Sequence, residues 1–208
     1  MIFLIPSARS CSFLYEAKLN EALEAQLIAF SRDWEAEDSC RGYRANAHEL
    51  PSADRLSSEA NRSTFYPTNI TPQDYDFNGG IWLDLENKVR AYAYASDTLY
   101  VVTGAKYDSS SAWSGSSRGR AARVPDAYYK VLLRYKKGDP SGEYSAAGFY
   151  FPHSASIAGG NFMDYAKTVK EVEAETGEHF FASFASQFGE AQATAIKNAD
   201  PNVTLSQE

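Results

Sequence analysis

The sequence predicts an α+β fold: a mixed, mainly antiparallel sheet at the core, flanked by helices. Three observations carry this. Apolar, β-branched and aromatic runs recur at Thr98 to Thr103, Ala127 to Tyr135 and Tyr144 to Phe151. Helical patterns stand before and after these runs, without the strict alternation of a doubly wound parallel sheet. The chain has 208 residues, 44% hydrophobic and 14% aromatic, which suits a single domain over residues 1–208 with a core that needs no staples.

Met1 to Ile5 is a short apolar run stopped by Pro6. It is too short for the apolar region of a signal peptide and has no basic segment before it. The expectation is a cytoplasmic chain, or one whose targeting segment is absent from this sequence. No apolar run approaches the roughly 20 residues of a membrane span, so no membrane partner is expected. Residues 12–31 hold good helix formers at mixed apolar spacing, and helix and strand both fit. Residues 32–47 are polar and irregular, with an acidic patch from Asp33 to Asp38. Thr64 to Ile70 reads as extended and interrupted by Pro67.

From Ile81 to Ala93 the pattern is clear. Ile81, Trp82, Leu85, Val89, Tyr92 and Ala93 fall within roughly 120° on a helical wheel. That predicts an amphipathic helix with one face on the core. Asn78, followed by Gly79 and Gly80, sits where a capping or first-turn residue belongs. Thr98 to Thr103 reads as a strand ended by Gly104. Residues 106–123 are rich in Ser and Gly and read as a long surface loop carrying Arg118, Arg120 and Arg123. Ala127 to Tyr135 and Tyr144 to Phe151 read as buried strands. Residues 168–176 form a short helix, with Thr168 and Glu171 as a capping box and Gly177 just past its end. A final helix is expected from Phe184 to Ala199. No internal repeat is visible.

The formal charge is −7, from 20 Lys and Arg against 27 Asp and Glu. That excludes a passive binder of bulk nucleic acid but not a local basic site acting on a phosphodiester. Cys11 and Cys40 are too few for a disulfide scaffold and match no metal knuckle; one bridge or two partly buried thiols both fit. Of the three histidines, His153 and His179 flank predicted elements and read as structural or surface residues. His48 stands in a polar stretch, HELPSADR, well before Asn78. A neutral imidazole and a neutral amide, each near the end of an element, suit a base-plus-metal pair.

These residues resemble the DNA/RNA non-specific endonucleases, whose active site is the ββα-metal, or His-Me finger, motif. His48 with Pro51, Ser52, Ala53, Asp54 and Arg55 is similar to the family's His-x-x-Pro-Ser-Ala-Asp-Arg. Asn69, Pro72 and Gln73 match Asn-x-x-Pro-Gln. Asn78, Gly80, Trp82, Leu85, Glu86 and Arg90 match Asn-x-Gly-x-Trp-x-x-Leu-Glu-x-x-x-Arg. Later segments, LYVVTG, Val124-Pro125 and TVKEVEAETGEHFF, also resemble family segments. The resemblance covers about Ala47 to Phe181, some two-thirds of the chain, and leaves residues 1–45 as a divergent or truncated lead-in.

The resemblance implies a metal-dependent hydrolase of DNA and RNA that leaves 5′-phosphate ends. His48 would take a proton from the attacking water, as a group titrating near operating pH can. Mg²⁺, or another divalent cation such as Mn²⁺, would be held by the Asn78 side-chain oxygen; Mg²⁺ needs few protein ligands because it keeps several waters. Glu86 would order the water shell of the site. Arg90 would pair with Glu86 or reach a phosphate. Arg44, Arg55, Asn69, Arg118 and Arg120 would hold the substrate. An inhibitor protein or a homodimer is a further partner class, and family members are often exported.

Plainer readings stand beside these. Asn78 also fits a helix N-cap, Glu86–Arg90 a surface ion pair, Asn69 a loop brace, Trp82 a core residue, and Arg55 a salt bridge to Asp54. Two positions depart from the family signature. Where it carries arginine and glycine before the histidine, this chain has Asn46 and Ala47. Arg44 lies two residues before Asn46, on the same face if the segment is a strand. Two rival readings follow: a nuclease fold without catalysis that binds nucleic acid or protein, and a tyrosine-rich module that binds sugars or proteins.

Overall fold

The computed structural model describes residues 2–6, 43–44, 54, 62, 70–111, 113–115, 121–140 and 142–201. A five-stranded antiparallel sheet, in the order β1-β4-β7-β8-β9, forms its centre. The strands are β1 (Ile2–Pro6), β4 (Thr98–Lys106), β7 (Ala127–Tyr135), β8 (Tyr144–Pro152) and β9 (Ala166–Lys167). Two short ribbons lie outside it: β2 (Tyr43–Arg44) with β3 (Gln73–Asp74), and β5 (Trp113–Gly115) with β6 (Ala121–Arg123). The fold is therefore α+β with a mainly antiparallel core, as the sequence implies.

Alternation along the strands sorts side chains onto two faces. Leu99 and Val101 of β4, Tyr128 and Leu132 of β7, and Ala147, Phe149 and Phe151 of β8 share one core with the long helix α1 (Leu83–Tyr94). The stripe read from the sequence is the buried face of this helical segment: Ile81, Trp82, Leu85, Val89, Tyr92 and Ala93 are all buried. On the other face Val102, Val131, Leu133 and Ala146 meet Val169 and Val172 of α2 (Val169–Thr176), Phe184 of α3 (Ala182–Phe188) and Ala193 of α4 (Glu190–Lys197). The Thr168–Glu171 capping box forms, and Gly177 takes the left-handed conformation that ends α2.

Three expectations are corrected. Gly104 does not end its strand: β4 runs on to Lys106, and Gly104 pairs with Tyr129. A Cβ there would stand 2.3 Å from the Tyr129 hydroxyl, so the strand needs a residue without a side chain at that point. Residues 106–123 are not one irregular loop, because backbone pairing of Trp113 with Arg123 and Gly115 with Ala121 makes a ribbon within them. The final helix is two, α3 and α4, broken at Gly189. Beyond these, Ile2–Pro6 forms the strand β1, paired along β4 from Ile2↔Val102 to Pro6↔Thr98. Within the segment 32–47 read as irregular, Tyr43–Arg44 is a strand; the expectations for residues 12–31, 32–42, 45–47 and 64–69, and the pairing of Cys11 with Cys40, lie outside the described residues.

Candidate active site

Pro72 to Asp76 is pinned to the sheet before the helix begins. The Tyr128 hydroxyl donates to the Pro72 carbonyl at 3.0 Å and bonds the Thr71 hydroxyl at 2.8 Å. The Asp74 N–H donates to His153 Nε2 at 2.7 Å, while His153 Nδ1 faces the Pro125 carbonyl at 2.8 Å. Because Nε2 accepts that N–H, the imidazole is neutral with its proton on Nδ1, and burial likewise holds its pKa below the usual value. The structural reading of His153 is right, and its task is to fix the turn that leads to Asn78.

The Asp74 carboxylate then caps a short helical turn, Tyr75–Phe77, accepting from the Asp76 and Phe77 N–H groups at 3.0 Å each. Asp74, not Asn78, is the N-cap. Asn78 opens a π-helical turn, Asn78–Trp82, that leads into α1. The turn exists because the chain bends at Gly80, where the Ile81 N–H leaves the helix and donates to the Ala158 carbonyl at 2.8 Å. A Cβ on Gly80 would stand 2.3 Å from that same oxygen. Such turns recur at functional sites.

Asn78 uses its amide nitrogen inward. Its Nδ2 donates to Gln73 Oε1 at 2.5 Å, and Gln73 is 1% exposed. Backbone pairing places Arg44 beside Gln73, across the β2–β3 ribbon. The ribbon is thus followed directly by the helical segment that carries Asn78. His48, Arg55, Asn69, Arg118 and Arg120 lie outside the described residues, as does the side chain of Arg44.

Glu86 follows on α1, largely buried. Burial raises its pKa from 4.5 to about 7, against the opposing attraction of Lys130 and Arg90. The Trp82 indole N–H adds a weak favourable contact without the geometry of a full hydrogen bond to any described residue. Arg90 faces protein oxygens on three sides. Its Nε meets Asp54 Oδ1 at 2.5 Å, Nη1 donates to Asn87 Oδ1 at 2.8 Å, and Nη2 stands 3.7 Å from Glu86 Oε2. The carboxylate of Asp54 thus pairs with Arg90.

Arg123 is tied into its own loop: Nη2 donates to the Asp108 carbonyl and to Ser111 Oγ, and the guanidinium lies over the Tyr107 ring. His179 is exposed, as the sequence implies. Three participants were not singled out from the sequence. Gln73 belongs to the matched Asn-x-x-Pro-Gln stretch, but nothing local marks it as a partner of Asn78. Asp54 likewise belongs to a matched segment. Lys130 interrupts the apolar strand AYYKVLLRY at the parity of Tyr128 and Leu132, which is the available signal that it points under α1.

The sequence profile of the DNA/RNA non-specific endonucleases matches residues 31–187. The chain belongs to that family. The zebrafish (Danio rerio) mitochondrial nuclease EXOG is 31% identical over 160 residues, covering 73% of this chain and 46% of that protein. The Serratia marcescens nuclease is 32% identical over 132 residues, covering 62% of this chain and 48% of that one. The chain thus spans about half the length of these curated relatives. Among solved structures, one described as the EndoG/EndoGI complex and the mechanism of EndoG inhibition superposes with a TM-score of 0.59 at 22% identity. It covers 70% of this chain and 63% of that chain, and the likeness establishes a shared fold.

Proposed function

We propose that this family member is a divalent-metal-dependent endonuclease that hydrolyses phosphodiester bonds in both DNA and RNA. The observation that carries the reading is Asn78. Its amide nitrogen is committed to the buried Gln73, so its Oδ1 is the end that this bond does not use. An amide oxygen held this way is a hard donor, and one such donor suits Mg²⁺ or Mn²⁺, which retain water. Bound there, the cation supplies positive charge to the phosphate and to the leaving oxygen.

The chain's own residues do the rest. His48 accepts the proton of the attacking water; a bond forms from that oxygen to phosphorus as the 3′-oxygen leaves, and a 5′-phosphate remains. Glu86 orders the water shell of the site. Arg90, engaged with Asp54, Asn87 and Glu86, positions Glu86. Arg44 takes over the positive charge that the signature arginine would bring at Asn46, from the strand beside Gln73. Arg55, Asn69, Arg118 and Arg120 hold the flanking backbone. A protein that occludes this face is the inhibitor class that likeness to the EndoG/EndoGI structure supports.

Titration of Mg²⁺ and Mn²⁺ into wild type and Asn78→Ala, with plasmid nicking as the readout, tests the assignment. The expected result is cation-dependent nicking, abolished by EDTA and reduced by several orders of magnitude in the variant. Wild-type rates from a folded Asn78→Ala protein would sink it.

A further inference from the structure

We propose that Tyr75 stacks on the nucleobase beside the scissile phosphate, and that this contact biases the enzyme toward single-stranded substrate. The inference deepens the nuclease reading and rests on it. Tyr75 opens the short helical turn Tyr75–Phe77, and the Asn78 N–H donates to its carbonyl. Asn78 is the third residue after Tyr75 and Gly79 the fourth, so the three share one face of the helical backbone. The side chain of Tyr75 is exposed there, at 55%. Gly79 is exposed too, and a Cβ built on it would meet nothing within 4 Å. The surface beside Asn78 is therefore an open strip of bare backbone with an aromatic ring at one end.

The turn that carries this ring is held from below. The Asp74 carboxylate accepts the Asp76 and Phe77 N–H groups, and the Asp74 N–H is held by His153. The buried Phe77 ring stacks on Trp82 and Tyr128 and meets Phe151 and His153 edge-on. These contacts fix the face on which Tyr75 stands, so stacking would order little beyond the ring itself. A surface tyrosine alone is ordinary; Tyr94, 77% exposed at the end of α1, is one. Tyr75 differs in being mounted one turn from the residue that would hold the cation. A phosphate drawn to that cation carries a base on either side, and Tyr75 offers such a base a π-face. Every base can use it, so the contact demands no sequence. It does demand a base free of its neighbours. A single strand supplies one readily, whereas a duplex must first unpair and unstack it. With a net charge of −7 the protein has little long-range attraction for a polyanion, and stacking adds affinity that charge does not.

The test uses a short single-stranded DNA with one cleavable phosphodiester, its duplex, and two versions of the single strand in which the nucleotide before or after that bond is abasic. With Mg²⁺, Tyr75→Ala should raise KM for the single strand by about 5- to 150-fold, the range of base–aromatic stacking, and leave kcat within about twofold. KM for the duplex should change by less. Tyr75→Trp should keep the wild-type KM. On one of the two abasic strands the effect of Tyr75→Ala should vanish. Gly79→Leu, whose side chain has room in the fold but covers the strip, should also raise KM for the single strand. Tyr94→Ala should change neither constant.

An unchanged KM in Tyr75→Ala overturns the proposal. So does a loss confined to kcat, which would mark Tyr75 as only shaping the Asn78 turn, and so does a KM loss that persists on both abasic strands. If Tyr75→Ala does not fold, an unchanged KM in Gly79→Leu overturns it equally. A wild-type protein that cleaves neither single strand nor duplex overturns the nuclease reading. Fluorescence anisotropy of the same strands in EDTA then decides the stacking surface, which stands if Tyr75→Ala weakens binding and falls if binding is absent or unchanged.

Discussion

Glu86 makes the metal-free protein sensitive to pH in a way that can be worked through. Its carboxyl has an ordinary pKa of 4.5 when exposed and about 7 in the fold. Between those values the folded state holds a proton that the unfolded state has lost. Stability from this group is therefore greatest below pH 4.5, falls as pH rises, and is fully lost above about pH 7. Each pH unit of difference corresponds to about 1.4 kcal/mol, so moving from pH 5 to pH 8 should cost about 2 to 3 kcal/mol through Glu86 alone. Glu86→Gln removes the titration while keeping nearly the same shape. Urea unfolding of wild type and variant in EDTA, at pH 5 and pH 8, isolates the effect from the other acids. The wild type should lose 2 to 3 kcal/mol more than the variant across that interval, an order-of-magnitude expectation from the linkage. Equal losses in the two proteins would mean that Glu86 is solvated in the fold and keeps its ordinary pKa.

Other outcomes follow from the same geometry. Gly80→Ala places a Cβ against the Ala158 carbonyl and should destabilise by about 1–3 kcal/mol, read by thermal unfolding, with cleavage falling further than stability because the Asn78 turn moves. His153→Ala removes the acceptor for the Asp74 N–H and should cost about 1–3 kcal/mol, again by thermal unfolding. In wild type the neutral His153 loses its contribution as pH falls below the ordinary histidine value of 6.5, so the variant should show a weaker acid dependence below that pH. Arg118→Ala and Arg120→Ala should each lower the salt dependence of substrate KM by about one unit of logarithmic slope, without touching kcat.

Much of the fold was readable because its signals are local. The apolar stripe from Ile81 to Ala93 and the Thr168–Glu171 box depend on residues within a few positions of each other. The misses have distant causes. Nothing near Asn78 announces that the Ala158 carbonyl will draw the Ile81 N–H out of the helix and make a π-turn. Gly104 reads as a terminator until the ring of Tyr129 is known to lie against it. Asn78 looks like a cap because a cap is what an asparagine before a helix most often is; Asp74 takes that place only because His153 and Tyr128 fix the preceding turn. Lys130 carried a parity signal, but its meaning depends on α1 crossing above it. For the site, Asn78, Glu86 and Arg90 were visible as a spaced motif, and the structure brings Glu86 and Arg90 together with Asp54. His48 rests on the family motif, since it lies outside the described residues.

The most direct test of the account is cleavage of supercoiled plasmid and of single-stranded RNA by wild type and His48→Ala, each with Mg²⁺ and with EDTA. Wild type should degrade both substrates with Mg²⁺, EDTA should stop it, and the variant, though folded, should be inactive on both. Wild-type cleavage that persists in EDTA, or an active His48→Ala protein, would contradict it.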